Sequence, residues 1–121
     1  MEELGDDVLR GKAMARTGAF EVVEVTGPLA SRRLYDGPPS LAIFYRRQSG
    51  LDTFRLRRYL DDLETRKITF IYLLDVEENW DLASELNVEF SPTTLRFDSK
   101  REVKRVVGLP SAKVFAGRLG L

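Results

Sequence analysis

The order of the predicted elements indicates an α/β fold with a central mixed β-sheet, helices on both faces and an extra N-terminal helix. Two apolar runs, 41–45 and 68–74, are bounded by polar turns and followed by helical patterns, as is typical of buried parallel strands. Late in the chain, 93–107 has the pattern of a β-hairpin, and one more helix follows it. The sheet is therefore expected to be parallel at its centre and antiparallel at its C-terminal edge.

The first elements are short and separated by clear turn signals. An amphipathic helix is predicted over 4–17, where apolar residues recur at helical spacing. Residues 20–26 alternate in part between apolar and polar, which predicts an outer strand with one wetter face. Pro28 suits the first position of a short helix over 28–35, and the turn residues 36–39 end that helix.

The remaining elements alternate between helix and strand until the hairpin. The helix after the first apolar run is predicted to have one buried stripe, because its apolar residues recur at helical offsets: Leu56, Tyr59, Leu60 and Leu63. The second apolar run is rich in β-branched and aromatic residues and is expected to be a central strand. The predicted elements are a strand over 41–45, a helix over 49–66, a strand over 68–74, a short helix over 81–87, strands over 93–97 and 102–107, and a closing helix over 111–119.

Length and composition indicate one compact domain. The chain has 121 residues, of which 43% are hydrophobic, and we expect a helical extension over 1–18 and the domain proper over 19–121. Lysine plus arginine equals aspartate plus glutamate at 19 each, so no overall field would attract nucleic acid or an anionic membrane. No apolar run approaches the ~18 residues of a membrane span, and the first residues are acidic, so a cytoplasmic protein is expected.

Cysteine and histidine are both absent from the sequence. Without thiolates the chain has no disulfide, no thiol exchange and no sulfur ligand for a metal. Without imidazole it has no Ser-His pair and no ordinary zinc or copper site. Carboxylate, lysine, tyrosine and hydroxyl groups remain for any chemistry, and we predict neither a cofactor nor catalytic residues.

Four short stretches carry a resemblance to a known family. They are Leu-Asp-Val-Glu-Glu-Asn at 74–79, Leu-Ala at 82–83, Val-Glu-Phe-Ser-Pro-Thr at 88–93 and Val-Gly at 107–108. In this order they resemble the turn, third helix, cis-proline loop and late Val-Gly of the thioredoxin family. The resemblance implies the thioredoxin fold and a cis bond before Pro92. It also implies that the backbone of the residue before this proline pairs with a peptide or thiol substrate, as in strand addition.

The departures from the family pattern fall on its redox machinery. The family's Trp-Cys-Gly-Pro-Cys aligns with Gln-Ser-Gly-Leu-Asp at 48–52, its buried acid with Ile43 and its helix-kinking proline with Arg57. We interpret the chain as a natural redox-inactive relative without disulfide oxidoreductase activity. The candidate binding groove at the former active site consists of Gln48, Ser49, Gly50, Leu51, Asp52, Phe90, Ser91, Pro92, Val107 and Gly108.

Ser49 and Asp52 have the spacing of a helix capping box. In this motif the serine oxygen accepts from the backbone three residues on, and the acidic side chain accepts from the serine N–H. We favour this interpretation over a catalytic one, in which Ser49 is a nucleophile and Asp52 its base. A carboxylate with a pKa near ~3.9 is a poor base for an alcohol unless burial shifts it strongly.

Arg46 and Arg47 directly precede this helix. They are either part of a solvated charged face, or they hold a carboxylate or phosphate of a partner beside the free N–H groups of the helix end. The second interpretation predicts salt-sensitive binding.

The aromatic residues near the groove are expected to divide between core and surface. We expect Phe44, Tyr45 and Phe54 in the core, whereas Leu51 and Phe90 are expected to be exposed, because their family counterparts border the substrate.

The acidic turn that begins at Asp75 resembles a calcium loop only superficially. Trp80 stands where the motif requires glycine and Leu86 where it requires glutamate, so we predict no metal site. Trp80 is expected to pack against the edge of the sheet.

The most consistent function is a non-catalytic domain that binds a protein or peptide at the groove formed by 48–51, 90–92 and 107–109, in a chaperone-like or accessory role. Cysteine-free branches of the family include proteins that escort the precursor of a hydrogenase subunit. The alternative is a protein that binds glutathione or a similar small thiol through Ser49 and the Ser91-Pro92 loop. A third interpretation is a structural role, in which the helix over 4–17 mediates self-association.

Overall fold

The computed structural model describes residues 20–121, which form a five-stranded mixed sheet with helices on both faces. The predicted helix over 4–17 lies outside the described residues. The strands are β1 (Glu21–Glu24), β2 (Ser40–Tyr45), β3 (Phe70–Asp75), β4 (Thr93–Asp98) and β5 (Arg101–Val107). The helices are α1 (Pro28–Asp36), α2 (Gly50–Asp62), α3 (Trp80–Glu85) and α4 (Ala112–Arg118).

The strand order across the sheet is β1-β3-β2-β4-β5. Strands β1, β3 and β2 are parallel, whereas β4 is antiparallel to β2 and β5 is antiparallel to β4. The predicted mixed sheet, with its parallel centre and antiparallel C-terminal hairpin, is confirmed. Strand β2 is central and all six of its residues are buried, which explains its unbroken apolar sequence.

The sheet separates two apolar cores, and alternate residues of β2 enter opposite ones. Leu41, Ile43 and Tyr45 pack with α2 and α4, whereas Ala42 and Phe44 pack on the other face with α1 and α3. Ile43, which aligns with the buried acid of the thioredoxin family, is 1% exposed within an apolar core. The position therefore contributes packing and no titratable group.

Helix α2 ends at Asp62, four residues before the predicted end at residue 66. Its C-cap residue, Leu63, has an extended backbone and a buried side chain, so the chain leaves the helix in order to enter the core. The Thr65 hydroxyl then accepts a hydrogen bond from the Lys67 N–H at 3.1 Å in a local turn. Tertiary burial thus ended a helix that local spacing would have continued.

Candidate functional site

The groove segments meet at one edge of the sheet. Phe44 near the end of β2 pairs with Thr93 at the start of β4, so the loop after β2 adjoins the loop before β4. Arg46 from the first loop and Phe90 and Ser91 from the second line one cavity of about 200 Å³. We call this cavity the groove cavity.

The segment around Gly108 adjoins the same loop. The Gly108 N–H donates to the Pro92 carbonyl at 2.7 Å, and Val107 pairs with Thr93 in the hairpin. Gly108 has a φ of 82°, a left-handed conformation that side-chain-bearing residues rarely adopt. The Ser91-Pro92 peptide bond is cis, as the resemblance implies. The loops that carry the three predicted segments therefore lie at this edge. Of the ten predicted groove residues, Phe90 and Ser91 line the groove cavity, and the role of all ten in binding stays a prediction.

Ser49 is the N-cap of α2, as its spacing predicts. Its hydroxyl oxygen accepts from the Asp52 N–H at 3.2 Å. The predicted return bond to the Ser49 N–H is wrong, because that group donates to the Arg46 carbonyl at 2.9 Å. The Asp52 carboxylate accepts from the Arg46 N–H at 3.3 Å instead. Within residues 20–121 the Ser49 hydroxyl donates to no acceptor, so the geometry gives it no base.

Arg47 is held by two carboxylates of this chain. Its Nη1 lies 2.8 Å from Glu78 Oε2, and its Nε lies 3.4 Å from Glu24 Oε2. The hydrogen bond with Glu78 raises the pKa of the guanidinium above its usual value. These pairs count against the predicted role of Arg47 as an anion contact.

Arg46 has a different environment from Arg47. Arg46 is exposed and lines the groove cavity, and it makes no ion pair with another residue of the described part of the chain. Of the two arginines, Arg46 is the one whose guanidinium is left for a ligand, and its role as an anion contact stays a prediction.

Tyr45 links the site to the edge of the sheet. Its hydroxyl donates to Glu24 Oε2 at 2.7 Å. Burial and, next, the hydrogen bond to this carboxylate raise the pKa of Tyr45 well above that of a free tyrosine. The phenol is therefore a structural donor, and sequence patterns gave no signal for it because Glu24 is distant in the chain.

The turn after β3 braces the loop that carries Arg46. The buried Asp75 carboxylate accepts from the Arg47 N–H at 2.7 Å and from the Glu78 N–H at 3.3 Å. The buried Asn79 side chain donates to the Val25 carbonyl at 3.2 Å and to the Asp75 carbonyl at 3.1 Å. Among residues 20–121 no three acidic side chains are placed to hold a metal ion. The side chains of Asp75 and Asn79 therefore act as hydrogen-bonding partners of the backbone.

Two aromatic residues are largely exposed to solvent, although Phe54 was predicted to lie in the core and Trp80 to pack against the edge of the sheet. Trp80 is 65% exposed and Phe54 is 59% exposed, so both predictions are wrong. The inward positions of α3 belong to Leu82 and Ala83, and Trp80 at the first position of this helix points away from them.

The buried residues of α2 are Leu56 and Leu60, and the Arg58 guanidinium lies 5.9 Å from the ring centre of Phe54 on the outer side. The exposure predicted for Leu51 and Phe90 is confirmed at 60% and 66%. Phe44 and Tyr45 are buried as predicted.

Solved structures similar to this chain include thioredoxins and a chain from a study of a peroxiredoxin. A chain from a study of thiol resolution in a yeast mitochondrial peroxiredoxin is 18% identical with a TM-score of 0.67, covering 83% of this chain and 95% of its own. A thioredoxin variant from Halobacterium salinarum is 23% identical with a TM-score of 0.63, covering 87% and 96%. The thioredoxin of Schistosoma mansoni is 19% identical with a TM-score of 0.66, covering 87% and 98%.

These similarities define the class of the protein as an α/β protein with the thioredoxin fold. No family model and no curated protein matches the chain. More particularly, the chain combines this fold with a sequence that contains no cysteine, so the thiol chemistry of thioredoxins has no residue to carry it. In the described residues no helix is both long enough and apolar enough to cross a membrane.

Proposed function

We propose that this chain is a non-catalytic thioredoxin-fold protein that binds an extended protein or peptide segment at the groove, in an accessory or chaperone-type role. One observation carries the proposal. The backbone N–H and C=O of Ser91 form no hydrogen bond with another residue in 20–121, although Ser91 lines the groove cavity and only Pro92 separates it from β4. An unpaired donor and acceptor beside a sheet are what an added strand requires.

Exposed apolar side chains support the same function. Leu51, Phe90 and Val107 are each more than half exposed, and each belongs to one of the three segments predicted to form the groove. Such side chains at a loop edge are typical of a surface that a partner covers. Main-chain pairing at Ser91 would supply affinity, and contacts with these side chains would supply selectivity.

The environment of Ser49 supports a role without catalysis. Its oxygen caps α2, and the chain offers neither thiol nor imidazole as a nucleophile or base. We therefore expect no acceleration of insulin reduction by dithiothreitol. Reduction above the rate of the reductant alone would contradict this part of the proposal.

A peptide-display experiment tests binding at the groove. Immobilised protein is used to select clones from a library of random dodecapeptides, and binding of the selected clones is compared across variants. Leu51→Ser with Phe90→Ser should remove binding, whereas Leu29→Ser should retain it. Leu29 is the matched control because it is 57% exposed, close to the 60% of Leu51, but lies in α1. Equal loss in both variants, or no selected clones, would overturn the proposal.

A second candidate is the binding of glutathione or a related small thiol. The free hydrogen of the Ser49 hydroxyl could donate to sulfur, and the Ser91 backbone could pair with the peptide part of the ligand. Trp80 lines the groove cavity together with Ser91, so its fluorescence reports on occupancy. A saturable change in Trp80 fluorescence on titration with glutathione, with weaker binding in Ser49→Ala, would favour this candidate. An unchanged emission spectrum would reject it.

A further inference from the structure

We propose that the outer face of Trp80 binds an arginine side chain of the partner segment, a specificity that rests on the proposed function. Trp80 is the only tryptophan of the chain and is 65% exposed. It lines the groove cavity and also a second cavity of about 340 Å³, which we call the acidic cavity. The indole thus joins the groove to a second recess.

The charges around the acidic cavity have one sign. Glu78, Asp81 and Glu85 line it, and no lysine or arginine does. Glu78 is held by Arg47 at 2.8 Å, but Asp81 and Glu85 are exposed and form no ion pair with any residue that the structure describes. These two lie four residues apart along the chain of α3, a spacing at which like charges repel. A cation between them would relieve this repulsion.

The arrangement suits a guanidinium better than a metal ion. The described acidic side chains include no group of three that could coordinate a metal. A guanidinium is larger than a metal ion, stacks on an indole face and donates several hydrogen bonds in one plane. The combination of an exposed indole and two carboxylates without ion-pair partners therefore matches an arginine side chain.

The position of the acidic cavity fits a segment that pairs with Ser91. Trp80 and Ser91 line the same groove cavity, and Trp80 forms part of its boundary with the acidic one. An extended chain advances ~3.3 Å per residue and directs alternate side chains to the same face. A residue near the one that pairs with Ser91 can then direct its side chain past the indole to the carboxylates.

Capped nonapeptides of serine, threonine and valine test the proposal with the full-length chain. They differ at the central position only, which is arginine, its neutral isostere citrulline, or glutamate. The arginine peptide should bind about tenfold more tightly than the citrulline peptide at low salt, with the glutamate peptide weakest. Added salt should reduce this difference. Affinity is measured by the anisotropy of labelled peptides, so that variants without tryptophan can be compared.

Variants locate the effect. Asp81→Asn with Glu85→Gln, and separately Trp80→Leu, should remove the preference for arginine over citrulline. Asp62→Asn is the matched control, because Asp62 is an exposed carboxylate that lines neither cavity. Circular dichroism establishes that each variant is folded.

The outcomes distinguish failure of the proposed arginine site from failure of the proposed peptide binding at the groove. Equal binding of all three peptides, or a preference for the glutamate peptide, overturns the arginine site and leaves the groove proposal in place. Binding of none of them, together with no selected clones from the dodecapeptide library, overturns both. A preference for arginine that survives in the Asp81 and Glu85 double variant also overturns the assignment of the site.

Discussion

The Tyr45 hydroxyl donates a 2.7 Å hydrogen bond to the carboxylate of Glu24, although the two residues belong to strands separated by β3. The same oxygen of Glu24 lies 3.4 Å from Nε of Arg47. This contact ties the C-terminal end of the central strand, next to the candidate groove, to the edge strand of the sheet. It is therefore a structural element of the candidate site.

Substitution of Tyr45 by phenylalanine should lower the free energy of unfolding by about 1.5 kcal/mol, the order expected for a hydrogen bond to a charged group. Urea denaturation monitored by circular dichroism measures the loss. Tyr59→Phe is the control, because the ring of Tyr59 packs on Phe115 and its hydroxyl has no hydrogen-bond partner among residues 20–121. Equal effects of the two substitutions would show that the contact contributes nothing specific.

The raised pKa of Tyr45 predicts a loss of stability at high pH. A folded-state pKa above the ordinary value of ~10 means that the unfolded chain releases its proton first as pH rises. The stabilisation is therefore fully present below pH ~10 and is lost above it. Denaturation at several pH values should show a fall in stability above pH ~10 that is shallower in Tyr45→Phe. The fall should not vanish, since burial also raises the pKa of Tyr35 and Tyr72.

Two serine caps permit a matched comparison of structure and function. Ser49 accepts from the Asp52 N–H at 3.2 Å, and Ser111 accepts from the Val114 N–H at 3.3 Å. Replacing either serine by alanine should cost about 1 kcal/mol of stability, measured by thermal or urea unfolding. Aspartate or threonine at position 49 should restore most of it. A loss at Ser49 several times that at Ser111 would indicate a role beyond capping.

Two glycines should respond to alanine with opposite signs. A Cβ at Gly37 would lie 2.5 Å from the Arg33 carbonyl oxygen, so the end of α1 must shift, at a cost of about 1–3 kcal/mol. A Cβ at Gly50 meets nothing within 4 Å at the first position of α2. Gly50→Ala should therefore raise stability by about 0.4–1 kcal/mol, because it restricts the unfolded chain. The melting temperatures of both variants test these two predictions. A higher melting temperature for Gly37→Ala would contradict the close approach described for Gly37.

Local sequence patterns were sufficient for the types of the elements. Period-two and unbroken apolar runs predicted the strands, and the helical stripe predicted α2, because these signals depend on near neighbours. The Ser49 cap was also predictable from its spacing to Asp52. The return bond was not, since it depends on a turn in which the Arg46 carbonyl takes the Ser49 N–H.

Residues distant in the sequence decided the electrostatics of the site. Arg47 pairs with Glu78, 31 residues away, and with Glu24, 23 residues away, and no local pattern distinguishes it from Arg46. The exposure of Trp80 likewise depends on how α3 packs. Leu82 and Ala83 fill its inward positions, and the tryptophan is left at the boundary of two cavities.

The sequence by itself determined the α/β class, the resemblance to thioredoxins and the lack of thiol and imidazole chemistry, because composition and short-range spacing are sufficient for each. Only the tertiary structure decided which arginine has no ion-pair partner among the described residues, where the indole lies and which carboxylates surround it. The physical reason is that burial and ion pairing depend on distances in space, and the sheet brings together residues that the chain keeps apart.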